Sequence, residues 1–93
     1  MEMKSLLIGE TASSSDRQNL EAALGGSPHV ARIIYMHTQH VGPEVILVAA
    51  KVIFDPSLPA GEVSQAIDVA EINMRSAVPT ARYIFIEPDV NRA

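Results

Sequence analysis

Cysteine and tryptophan are absent from the 93 residues, and aromatic side chains of any kind make up only 4%. Without cysteine there is no disulfide scaffold, no thiol nucleophile and no cysteine-ligated zinc site, and the redox compartment is left open. Basic residues are scarce as well. Seven Lys and Arg stand against eleven Asp and Glu, a formal net charge of −4 at pH 7. An acidic chain with few aromatics lacks both the phosphate-neutralising charge and the stacking surface of a nucleic-acid binder, so no nucleic acid is expected as a partner. Long hydrophobic runs are missing. The longest, residues 45–50, has six members, whereas about 18–20 are needed to cross a bilayer. The opening MEMKSLLIG lacks the extended apolar stretch of a secretory signal. No phosphate-binding or dinucleotide-binding glycine motif occurs, and no H-E-x-x-H.

What is present points to a folded domain. Hydrophobic residues make up 47% of the chain, too many for intrinsic disorder. The length allows one domain, residues 1–93, able to bury roughly 60–70% of its unfolded surface. Serines 13–15 precede an apolar helical pattern. Ser15 and Gln18 have the spacing of a capping box, and Leu20, Ala23 and Leu24 follow on one face. The first helix is expected over 15–24, stopped by Gly25 and Gly26, where glycine accepts a left-handed cap. Residues 30–38, rich in β-branched and aromatic types, read as a strand. Residues 45–54 read as a second, apolar at successive positions and therefore buried on both faces. A turn of about six residues around Gly42 and Pro43 joins them as a hairpin. The second helix is expected over 60–77, with Val63, Ala66, Ile67, Ala70, Met74 and Ala77 as its apolar stripe and Glu71–Arg75 as a surface pair. Residues 82–87 form a third strand, closed by Pro88.

The order α-β-β-α-β needs a parallel crossover between the second and third strands. It gives an α+β, two-layer domain with two helices on one face of a three-stranded mixed sheet. The other face, carrying residues such as Ile34, Met36, Leu47 and Ile53, is left bare, and such a face is expected to be covered by self-association.

The chemistry-bearing candidates are few. His37 and His40 fall at the end of the first strand and in the hairpin turn. Glu87 and Asp89 end the third strand, two apart and on one side. Two imidazoles and one or two carboxylates form a candidate site for zinc or another divalent cation. The bland alternative is that these are exposed turn and strand-end polars. Serines 13–15 are read as capping residues, not nucleophiles.

Several segments, in order, resemble the cytoplasmic C-terminal domain of cation diffusion facilitator (cation efflux) transporters. They are SLLIGE at 5–10, Asp16-Arg17, PHV at 28–30, the strand-turn segment TQHVGP at 38–43 and LVAAKVIFD at 47–55. Ile67, Asp68, Glu71, Pro79 and IFIEPD at 84–89 complete the pattern, which spans about residues 5–90. The resemblance implies the metallochaperone-like (ferredoxin-like) αββαβ fold, the same order read from the residues. It implies a homodimer beneath the membrane domain of the same transporter, on the cytoplasmic side of the cell membrane, without enzymatic activity. In that family the membrane helices exchange a divalent cation such as zinc for protons, and several C-terminal domains bind metal to regulate transport. The family's ligand positions correspond here to Ile34, Ala49, Ser64 and Glu87, all histidine in its zinc-binding members. Only Asp89 keeps a ligand type. The usual two-metal site is therefore expected to be absent or rebuilt.

The missing membrane span then suggests a domain excised from a longer transporter, though a free-standing dimeric regulator fits too. A soluble metal-binding or metallochaperone-like protein using His37, His40, Glu87 and Asp89 is the alternative. An enzyme ranks last, because no linked nucleophile, base and oxyanion donor is visible.

Overall fold

A computed structural model of the chain describes residues 11–89. The SLLIGE segment at 5–10 lies outside the described residues. The elements are α1 (Ser14–Gly25), β1 (Val30–Gly42), β2 (Val45–Phe54), α2 (Ala60–Ala77) and β3 (Ala81–Asp89). β2 is central, antiparallel to β1 and parallel to β3. The expected αββαβ order and mixed sheet are both present.

α1 starts one residue earlier than expected, and its cap differs. Ser13, not Ser15, is the N-cap, its hydroxyl accepting from the Asp16 N–H at 3.1 Å. The reason lies just upstream. The Thr38 hydroxyl on β1 accepts from the Ala12 N–H at 3.0 Å and pairs with the Thr11 hydroxyl at 2.8 Å. These contacts hold residues 11 and 12 against β1 and so set which serine meets the first free amides. The helix stop also differs. Gly26 is right-handed, at φ −87°, and a Cβ there would come within 3.1 Å of the Ala22 carbonyl oxygen. Glycine relieves that tight approach and does not serve as a left-handed cap. The left-handed residue is His29, at φ 69°. Ser27 then ties the helices together, its hydroxyl donating to the Ala23 carbonyl at 2.7 Å and accepting from Asn73 on α2 at 3.0 Å.

β1 is longer than expected, running on to Gly42, which pairs with Val45. Only Pro43 and Glu44 remain as the turn, in place of about six residues. β3 is longer too. Pro88 does not close it but pairs with Val52 inside it, which an edge strand tolerates because one side needs no N–H donor. α2 has the expected bounds. Ala66, Ala70 and Met74 of its stripe are buried and Val63 and Ile67 half-buried, but Ala77 is exposed at the last turn. The Glu71–Arg75 pair is formed at 3.5 Å.

The core lies between the helices and one sheet face. Ile46, Val48, Ala50, Val52 and Phe54 of β2 all point into it, joined by Leu20 and Leu24 of α1, Met74 of α2 and Ile84 and Ile86 of β3. Completely burying an aliphatic side chain of this kind stabilises by about 1.5–3 kcal/mol. Ala66 and Ala70 are the small members of this core on α2.

Candidate functional site

Residues directly opposite one another in neighbouring strands share a face. The register therefore defines the bare side of the sheet in four rows. Reading β1, β2, β3, they are Gln39–Leu47–Tyr83, His37–Ala49–Phe85, Tyr35–Lys51–Glu87 and Arg32–Ile53–Asp89. The chain has two Tyr and two Phe, and three of these four rings stand here. Tyr83 is 53% exposed and Phe85 60%. Leu47 and Ala49 are half-buried between them. Among the described residues no helix covers this face, because α1 and α2 both pack on the other one.

One expectation about this face is corrected. Met36 opposes Ala50 and packs against the core. A register shift between Ile33 and Tyr35 marks a bulge at Ile34, and the extra residue reverses the alternation beyond it. Ile34 itself is 39% exposed, and Ile53 is buried at 4% despite its place in the bare rows.

The four residues expected to hold a metal are dispersed. His37 is exposed on the bare face, its ring 5.0 Å from that of Tyr35. His40 lies in β1, not in the turn. It opposes Ile46, points to the helix side and is 6% exposed, with no hydrogen-bond partner at Nδ1 among the described residues. Three residues apart in an unbroken stretch of strand, the two imidazoles point to opposite faces. Glu87 is on the bare face beside Lys51, its carboxylate 3.7 Å from the ammonium. Asp89 is half-buried, one row away, and has an interaction of its own within the chain. Among the described residues no three His, Asp or Glu side chains are grouped so as to hold a metal ion.

A groove of about 740 Å³ opens where the ends of β2 and β3 meet the start of α2. Phe54, Leu58, Val63 and Ile67 line it, with Ser64, and Asp55 and Asp89 stand at its border. Asp55 is committed to a local turn. Its Oδ1 accepts from the Ser57 N–H at 2.9 Å and the Ser57 hydroxyl at 2.8 Å, and these bonds hold its pKa below the ordinary 3.8. A hydroxyl and two carboxylates in an apolar groove are a poor donor set for zinc, which favours imidazole and thiolate.

The residues that sequence reasoning missed are Tyr83 and Phe85. Their alternation with Ile84 and Ile86 was legible, but which set faced the helices was not.

No family model matches the sequence, and no curated protein matches it significantly. Solved structures do match. A C-terminal domain of MamM with aspartate replaced by asparagine, in a nickel form, superposes with a TM-score of 0.78 at 11% identity, covering 86% of this chain and 100% of that one. A histidine-to-alanine variant of the same domain gives 0.79 at 11% identity, with 87% and 100% covered. This chain has the fold of the MamM C-terminal domain. A further structure of MamM's domain matches at 0.76 and 12% identity, over 83% of this chain and 96% of that one. Cadmium and copper forms of MamM's domain are also similar. Among the described residues of this chain, no helix is long and apolar enough to cross a membrane.

Proposed function

We propose that this chain is the cytoplasmic dimerisation and regulatory domain of a divalent-cation efflux transporter, with zinc as the expected cargo. MamM C-terminal domains are cytoplasmic domains of the cation diffusion facilitator family. The fold shared over most of the chain is the observation that carries the reading, and the ordered resemblance of segments 28–30, 38–43, 47–55 and 84–89 supports it. The bare face with Tyr83 and Phe85 supports self-association, since exposed apolar patches of this kind mark interaction surfaces. The domain carries no chemistry of its own. Cation and proton exchange belongs to membrane helices, and the domain's part is to hold two transporter subunits together and to bias their arrangement.

The bound metals of the MamM forms raise the question of a regulatory cation here. His37, His40, Glu87 and Asp89 remain the proposed donors, and one protomer does not bring three of them together. A zinc site built from them would therefore need donors from two protomers.

Sedimentation velocity of the chain with and without zinc tests the proposal. A dimer at micromolar concentration supports it. A monomer at every concentration, with zinc and without, would remove the dimerisation role.

A further inference from the structure

The bare face is polarised across its strands. Its β1 edge carries the guanidinium of Arg32, its β3 edge carries Glu87 and Asp89, and the apolar surface lies between and beside them. Two sheets that pack face to face sit about 10 Å apart with strands within about 30° of each other. A symmetric pair of this face has two simple arrangements. With the two-fold axis at right angles to the strands, basic edge lies over basic edge and acidic over acidic, and no opposite charges meet. With the axis parallel to β2, each β1 lies over the other copy's β3. Arg32 then faces Asp89 twice, once on each side, Gln39 faces Tyr83, and Leu47 meets its own symmetry mate.

We propose that the partner of this face is a second copy of the chain, docked about a two-fold axis parallel to β2, with Arg32 opposite Asp89 of the partner subunit, and that this pairing needs no metal. The proposal rests on the dimerisation reading above and specifies its geometry and its control. Arginine presents a planar fork to a carboxylate, and a carboxylate has about four lone-pair sites. The interaction Asp89 already has within the chain is therefore compatible with a second one from across the interface. Lys51 meets its symmetry mate near the axis, but each ammonium lies 3.7 Å from its own Glu87, which offsets the repulsion.

The independence from metal follows from the donor set. The positions where the resembled family places histidine hold Ile34 in the β1 bulge, Ala49 under the aromatic rows, Ser64 in the apolar groove and Glu87 beside a lysine ammonium. That ammonium already supplies the positive charge that a cation would bring to Glu87. Association in this chain is set by fixed protein charge and apolar area.

Sedimentation velocity of the chain in excess EDTA is the test, with Arg32→Glu, Asp89→Arg and the double reversal. Each single reversal is expected to raise the dimer dissociation constant at least tenfold, and the double reversal to return it to within about threefold of wild type. Circular dichroism checks that each variant folds, and Arg32→Gln, which only removes charge, serves if a reversal does not. Dissociation of the wild-type dimer by EDTA overturns the proposal. So does a dimer indifferent to both single reversals, or a double reversal no better than either single; in these cases the dimerisation reading still stands. A wild-type chain that is monomeric throughout removes that reading and this pairing with it.

Discussion

Replacing Phe85 by alanine separates the two surfaces of the sheet most sharply. The ring is 60% exposed in the protomer. A phenylalanine side chain presents about 200 Å² when fully open, so roughly 120 Å² is available for burial by a partner. At about 25 cal/mol per Å² that is near 3 kcal/mol per protomer as an upper bound. Docking and ordering costs absorb part of it, so the expected weakening is at least tenfold, or about 1.4 kcal/mol. The isolated protomer loses little, because an exposed substitution changes stability by about 0.5 kcal/mol or less. For a domain of this size that shifts Tm by about 2–4 °C at most. Met74→Ala is the control. Met74 of α2 is fully buried in the core, and its truncation costs about 2–5 kcal/mol, lowering Tm by about 8 °C or more. Sedimentation equilibrium reads the association. Thermal melting, run below the dimer's dissociation constant, reads the protomer. The reasoning fails if Phe85→Ala leaves association unchanged, or if it lowers the protomer's Tm as much as Met74→Ala does.

Ser13→Ala should cost about 0.5–2 kcal/mol by urea denaturation, through the lost cap to Asp16, while Ser15→Ala stays within about 0.5 kcal/mol; the reverse ranking would place the cap at Ser15. Asp55→Ala should lower Tm at neutral pH. The Asp55 pKa is depressed in the folded state by its bonds to Ser57, so its contribution is present above the unfolded value of 3.8 and disappears as pH falls through the lower folded value. Melting wild type and variant from pH 7 downward should show the two curves converging in that acid range, and a constant gap would contradict the cause given. Zinc added to the protomer, held below the dimer's dissociation constant, should leave Tm unchanged by calorimetry, because one protomer groups no three donors among its described residues; a tight site within the protomer would instead stabilise by about 2.7 kcal/mol at a hundredfold excess over its dissociation constant.

The parts of the fold legible in the sequence were those with an unbroken period. The α2 stripe from Val63 to Met74 and the apolar run of β2 fixed both elements to their observed ends. What was not legible depended on residues far apart in the chain. Three adjacent serines are equal as caps until Thr38, on another element, holds Ala12 in place. The bulge at Ile34 reverses the alternation and turns Met36 from the bare face to the core, and nothing local announces it. Gln39 and His40 look like loop residues, and only pairing with β2 keeps them in a strand. Pro88 reads as a strand end because its tolerance depends on the edge position of β3. The candidate metal residues were named from type and spacing, but spacing does not say which face a side chain takes. His37 and His40 are separated by that parity alone. The aromatic face was only half legible, since Tyr83 and Phe85 alternate with core residues and the phase is set by α2.

Isotope-filtered NMR on a mixture of labelled and unlabelled chain tests most directly whether the bare sheet face is the surface that meets a second copy. Intermolecular contacts are expected between the Leu47 methyls of the two copies and from the rings of Tyr83 and Phe85 to β1 of the other copy. Contacts confined to Val69 and Ile72, the exposed apolar residues of α2, or no intermolecular contacts at all, would contradict it.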